Sequence, residues 1–362
     1  MLEWLNRAVS KTAILVRVSG VQIPPFPPFF IDKINLIMQN LLVVGGAGYI
    51  GSHFCKIAKQ NGYNPVVYDN LSTGFKKLVK WGEFIEGDIK NTKLLSDVLI
   101  KYKPVAVVHF AAYSQVGESM KNPYKYYENN VGGTLNLLKV MKDCEVKNII
   151  FSSTAAIFGI PEHLPINENT PKNPINPYGR SKLMIENILE DFDNSYGIKY
   201  TALRYFNASG SDPECETGEC HNPETHLIPI VCQTALGIRE SMQIFGDDYN
   251  TKDGTCIRDY IHVIDLANAH ILALKKMLET QKSMKINLGT NNGFSNLEIM
   301  KKAEEVVGHK INYTIGARRI GDPDILVCDN TFAKEYLGWE IQYNDVKDHI
   351  EHTINWQKKN LI

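Results

Sequence analysis

The chain has 362 residues, a formal net charge of -1, 44% hydrophobic and 22% charged content, the composition of an ordinary globular protein with room for two domains. Acids and bases are interspersed, so no long-range field attracts nucleic acid or an anionic membrane, and neither is expected as a partner. No apolar run approaches the roughly 20 residues that span a bilayer, and Ala13–Val18, interrupted by Arg17 and without a small-residue cleavage site, does not read as a secretory signal.

Residues 1–37 differ from the rest of the chain. They place Pro24, Pro25, Pro27 and Pro28 beside Phe26, Phe29 and Phe30, and Met38 then opens a clean strand-loop-helix unit. We expect 1–37 to be a non-native or disordered extension and Met38 to be the natural start. Gly20–Pro24 can be back-translated to GTTCAAATCCC, which resembles the T arm of a tRNA gene and suggests a start codon misplaced upstream.

From Asn40 onward short β-rich runs alternate with helical stretches. Leu41–Val44, Pro65–Tyr68, Glu83–Glu86, Val105–Phe110, Asn148–Ser152 and Tyr200–Tyr205 are mostly continuous apolar runs, the pattern of parallel strands covered on both faces. Gly51–Asn61 and Asn129–Cys144 have the length and spacing of crossover helices. The expected fold is therefore α/β, a Rossmann-type doubly wound parallel sheet over 38–206, with 258–290 partly packed back on it. Past Asn207 short mixed segments rich in glycine and proline point to a smaller α/β substrate domain, 207–362.

After the first strand comes Gly45-Gly46-Ala47-Gly48-Tyr49-Ile50-Gly51. Gly45 and Gly48 permit a tight turn and close approach to a pyrophosphate, Gly51 lets the helix pack on the sheet, and the helix N-terminus faces the phosphates. Asp69 ends the second strand, placed for the adenosine ribose hydroxyls. With no arginine beside it for a 2′-phosphate, the cofactor read here is NAD. Asp88, after the third strand, is a candidate for the adenine edge; a loop cap is the plainer alternative.

Tyr178-Gly179-Arg180-Ser181-Lys182 puts a phenol and an ammonium on one helical face. A tyrosine of pKa near ~10 needs ~4 kcal/mol of differential stabilisation to ionise near neutrality. We expect the lysine and a cationic nicotinamide to supply it, making Tyr178 a general base. Ser152-Ser153-Thr154 ends the fifth strand at the carboxyl edge of the sheet, where Thr154 can bridge substrate and phenol.

Seven cysteines, at 55, 144, 215, 220, 232, 256 and 328, include no CxxC pair and read as reduced intracellular thiols, so a cytoplasmic location is expected. Cys215, Cys220, His221 and His226 match no standard zinc spacing. They read as a polar surface loop, and no metal is expected.

Val44–His53, His109–Ser119, Phe151–Gly159, Asn176–Glu186, Leu203–Asn207 and Gly254–Leu266 resemble the UDP-glucose 4-epimerase family of the extended short-chain dehydrogenase/reductase superfamily. The resemblance covers nearly all of Met38–Ile362. It implies Tyr178 as base, Lys182 on the nicotinamide ribose and Thr154 at the family's Ser or Thr position. It further implies Gly45, Gly48, Tyr49, Ile50, Asp69, Asn70, Asp88, Ile89, Phe110, Ala111 and Asn129 on NAD. Asn207, Leu227, Arg258 and Arg319 match positions that hold the UDP-sugar. Ser114 stands where some members carry a lysine near the cofactor phosphates, and Leu326 near a position linked to acceptance of N-acetylated sugars. The implied activity is reversible C4 inversion of UDP-glucose and UDP-galactose through a transient 4-keto sugar and enzyme-bound NADH, in galactose metabolism. The implied assembly is a homodimer through Pro123–Cys144 and Lys182–Tyr196. The alternatives are a 4-epimerase of another UDP-sugar (N-acetylhexosamine, pentose or uronate), a 4,6-dehydratase, or a non-catalytic NAD sensor. A dehydratase needs a carboxylate after the active-site hydroxyl, where Ala155 and Ala156 stand. N-terminal sequencing of the protein from its own cells is expected to begin at Met38; a mature chain beginning at Met1 would overturn the reading of 1–37.

Overall fold

The computed structural model describes residues 38–319 and 322–360; the expectations for 1–37 lie outside them. The main sheet is built from β1 (Gln39–Val44), β2 (Tyr63–Asp69), β3 (Glu83–Glu86), β4 (Ala106–His109), β5 (Asn148–Thr154), β6 (Lys199–Tyr205) and β10 (Met284–Leu288). Their order is β10-β6-β5-β4-β1-β2-β3, and every pairing is parallel. The continuous apolar runs have a direct cause. Leu41 and Val43 of β1 enter one core while Leu42 and Val44 enter the other, and all four are buried. Helices Tyr49–Gln60 and Val263–Thr280 cover the first face; Thr92–Tyr102, Gly133–Asp143 and Pro177–Tyr196 cover the second.

Strand order reverses between β1 and β4, and Val44 pairs with both Tyr68 and His109. The turns after β1, β2 and β4 therefore leave the sheet at one level, opening the crevice in which ligands of such sheets bind. Beyond Tyr205 the chain builds a second sheet from β7 (Asn207–Ser209), β9 (Ile257–His262), β11 (Gly293–Ser295) and β13 (Ile325–Leu326), with β8 (Met242–Phe245) pairing β12 (Tyr313–Gly316) separately. A third core packs helices Leu227–Ala235, Asn296–Val307 and Val346–Asn360 together. All seven cysteines are free. No helix among the described residues is long and apolar enough to cross a membrane.

One buried ion pair ties the site-bearing helix to the sheet. The Arg204 guanidinium of β6 donates to both oxygens of Glu186 at 2.9 and 2.7 Å, and Ser153 Oγ donates to the same carboxylate at 2.6 Å. The Arg204 and Glu186 side chains are 2% and 1% exposed. Removing one partner strands a charge in a dry interior. Glu186→Gln is expected to lower the unfolding free energy in urea by about 3–5 kcal/mol, whereas joint replacement by Glu186→Leu and Arg204→Met is expected to restore most of it.

Candidate active site

The cleft at the carboxyl edge of the main sheet has a volume of about 1170 Å³. Its cofactor side starts at Gly45, which turns with φ +84° and donates from its backbone to Tyr68 O at 2.9 Å. A Cβ there would lie 2.5 Å from Ala111 N, and one on Gly51 would lie 2.2 Å from Gly45 O. These two glycines are required by the protein's own packing. Gly48 is different. A Cβ on it would meet only Gly45 O, at 3.4 Å, yet it lines the cleft and caps the helix Tyr49–Gln60. Its lack of a side chain leaves bare backbone facing the cavity, which fits a pyrophosphate at a helix N-terminus.

Asp69 Oδ2 accepts from Ala47 N at 3.0 Å and Oδ1 from Leu71 N at 2.8 Å, which orients the carboxylate in the cleft wall. Burial raises its pKa, and those two backbone bonds oppose the rise. Tyr49, Ile50, Asn70, Ile89, Phe110, Ala111 and Asn129 line the same cavity. Asn129 reaches it from a widened helical turn, Tyr127–Gly132, a local irregularity frequent at functional sites. Asp88 is not part of the wall, although its neighbours Gly87 and Ile89 are. Its carboxylate accepts from Asn70 Nδ2 at 2.7 Å and Lys90 N at 2.8 Å, the loop-cap arrangement.

The tyrosine-lysine helix begins where local chemistry dictates. Asn176 Oδ1 accepts from Gly179 N at 2.8 Å, and Pro177 occupies the first turn. A Cβ on Gly179 would lie 2.5 Å from Ala156 O, so this glycine permits the close approach of helix and turn that brings Tyr178 beside Thr154. Tyr178, Lys182 and Thr154 all line the cleft. Lys182 Nζ donates to Ser152 O at 2.7 Å and stands over the Phe151 ring at 4.8 Å.

The protein's own contribution to the electrostatics of the pair is desolvation. Burial raises the Tyr178 phenol above its ordinary range, and only the Thr154 hydroxyl pulls it back. Burial also pushes the Lys182 ammonium down to about 7, with Glu186 opposing. Desolvation disfavours the charged form of both groups, so the expected phenolate calls on the cationic nicotinamide as well as on the lysine.

On the other side, Asn207, Leu227, Arg258 and Arg319 line the cavity, as do Ser114 and Leu326. Arg258 is held by a salt bridge to Asp322 and by Pro323 O at 2.7 Å. Arg319 lies over the Phe245 ring at 4.2 Å and makes no salt bridge among the described residues. Sequence reasoning missed Arg239. It lines the cleft, donates to Gln233 Oε1 at 2.6 Å and has no carboxylate partner among the described residues. No motif marked it.

A glycine-turn crevice at a strand-order reversal, with a tyrosine-lysine pair on the adjoining helix, defines a nucleotide-cofactor enzyme of the short-chain dehydrogenase/reductase type. Residues 41–289 match the NAD dependent epimerase/dehydratase family, and the chain belongs to it. It is 52% identical over 321 residues to a UDP-glucose 4-epimerase of Lactobacillus helveticus, covering 88% of this chain and 97% of that one. The UDP-glucose 4-epimerase of Brucella ovis, solved with NAD, superposes with a TM-score of 0.85 at 50% identity, covering 88% and 98%. That of Bifidobacterium longum, solved with NAD+ and UDP, gives 0.85 at 38% identity, covering 89% and 99%.

The lowered lysine has a stability consequence with a defined sign. Unfolded, Lys182 keeps its proton well above the folded value of about 7, so between these points the unfolded state binds more protons. Stability from this position rises with pH and is lost as pH falls toward the folded value. Compared with Lys182→Met, the wild type is expected to gain unfolding free energy between about pH 7 and about pH 10, measured by urea denaturation.

Proposed function

We propose that this chain is a UDP-glucose 4-epimerase that interconverts UDP-glucose and UDP-galactose with a tightly held NAD, acting in galactose metabolism in the cytoplasm. The observation that carries the proposal is the convergence of Thr154, Tyr178 and Lys182 on the cavity that Gly48 leaves open to a pyrophosphate. The glycine turn, Asp69 and Lys182 would hold NAD, which when bound supplies the reversible two-electron oxidation and reduction of C4. Tyr178 takes the proton from the C4 hydroxyl, directly or through Thr154, and returns it after the 4-keto sugar has turned over. Arg239, Arg258 and Arg319 bracket the diphosphate, for which a guanidinium fork is the fitting donor. Anchoring by UDP leaves the sugar free to present either face.

A dehydratase is disfavoured because Ala155 and Ala156, which line the cleft after Thr154, offer no acid. A non-catalytic sensor would have no use for a tyrosine-lysine pair in the cleft wall. A homodimer is the proposed assembly. Exposed Leu135, Met184 and Tyr196 on the neighbouring helices Gly133–Asp143 and Pro177–Tyr196 support it.

With UDP-glucose, UDP-galactose, their N-acetylated forms, pentoses and uronates as a panel, proton NMR is expected to show C4 inversion of the first two without added reductant. Tyr178→Phe is expected to lower kcat by about 100-fold or more. No turnover of any UDP-sugar in the presence of NAD would sink the reading.

A further inference from the structure

The loop between β7 and the helix Leu227–Ala235 carries Glu219, His221, Glu224 and His226 in the order Glu-x-His-x-x-Glu-x-His. One ligand atom from each lies within 4.8 Å of all the others. His226 Nδ1 is 2.5 Å and His221 Nδ1 is 2.9 Å from Glu219 Oε1. The same nitrogens are 3.6 and 3.7 Å from Glu224 Oε1. Tetrahedral ligands at Zn–N and Zn–O distances of about 2.1 Å stand about 3.4 Å apart, which falls within this spread.

Two further facts set the group apart from a surface charge cluster. The carboxylates are not solvated: the Glu219 and Glu224 side chains are 2% and 4% exposed. His221 Nδ1 is itself buried and lies beside Glu219 Oε1 without forming a hydrogen bond, while His226 Nδ1 is hydrogen-bonded to that same oxygen. Two buried carboxylates facing two imidazoles make a mixed oxygen and nitrogen donor set of four, the number a structural zinc takes. The nitrogen ligands favour zinc over magnesium or calcium.

We propose that Glu219, His221, Glu224 and His226 form a divalent-cation site of zinc type. Cys215 and Cys220, the thiols of the same loop, stand outside it. The site fastens the cleft wall, because His226 is the residue before Leu227 at the helix start and His221 packs edge-on to Tyr49 at 6.4 Å. It is a structural site, and its occupancy is measurable without any catalytic assay.

The test uses the full chain, stripped with EDTA and then titrated with Zn2+ by calorimetry, with metal content read by mass spectrometry. One equivalent per chain and a raised Tm are expected. Co2+ in its place is expected to give the intense visible bands of a tetrahedral site. His221→Ala and His226→Ala should each weaken Zn2+ binding beyond the about 10–100-fold that loss of an outer partner costs. Cys220→Ser should retain the full equivalent. Should a histidine variant fail to fold, the stoichiometry and the Co2+ spectrum of the wild type still decide. No uptake at micromolar Zn2+, unchanged affinity in both histidine variants, or loss of metal in Cys220→Ser would each overturn the assignment.

Discussion

Removal of water from the end of β5 is the constraint on which the rest of the cleft depends. Lys182 is buried and Tyr178 is half-buried in the cleft wall, and desolvation acts on them in opposite senses: the phenol holds its proton more firmly and the ammonium releases its own more readily. Both are driven toward neutrality, within reach of a hydroxyl at Thr154 and a carbonyl at Ser152. The nearest acid, Glu186, is itself committed to Arg204. The protein thus presents a poised pair whose ionisation is decided by whatever charge enters the cavity. A positively charged pyridine ring is such a charge, which gives the cofactor an electrostatic part beside its redox one.

Much of the fold could be read from local pattern because parallel strands covered twice leave a simple trace. Val105–Phe110 and Asn148–Ser152 carry apolar side chains on successive positions since both faces of each strand are buried, and the observed β4 and β5 fall within two residues of them. The glycine turn was legible for a related reason. Gly51 answers to the backbone of Gly45 inside the turn, and Gly45 to the positive φ of the turn as well as to Ala111 beyond β4, so most of the information lies in their spacing along the chain. The helix start at Asn176-Pro177 is equally local.

What escaped was set by distance. Arg239 joins the cleft only because the segment after the helix Leu227–Ala235 is folded over it from another part of the chain, and nothing in its neighbours announces a guanidinium without a carboxylate. Glu219 and Glu224 gave no signal because zinc spacings are counted on cysteine and histidine, whereas the fold brings carboxylates to the two histidines. Asp88, the candidate for the adenine edge, accepts from Asn70 and Lys90 and stands between the cleft residues Gly87 and Ile89, an arrangement that its place after a strand does not foretell. The direction of the Tyr178 shift could not be foreseen from spacing, because helical periodicity places a lysine nearby without saying how dry the neighbourhood is.

The seventh strand has a consequence for how the molecule is made. β10 joins the edge of β6 only after the chain has built β7, β8, β9 and the helix Val263–Thr280. Until residue 288 has left the ribosome, β6 stands with an open edge and the face later covered by Val263–Thr280 lies bare. Closing so long an excursion is entropically slow, and an unpaired apolar edge invites intermolecular pairing in the interval. The edge of β6 is thus closed by the last strand of the main sheet to be made, from a segment that follows most of the second sheet.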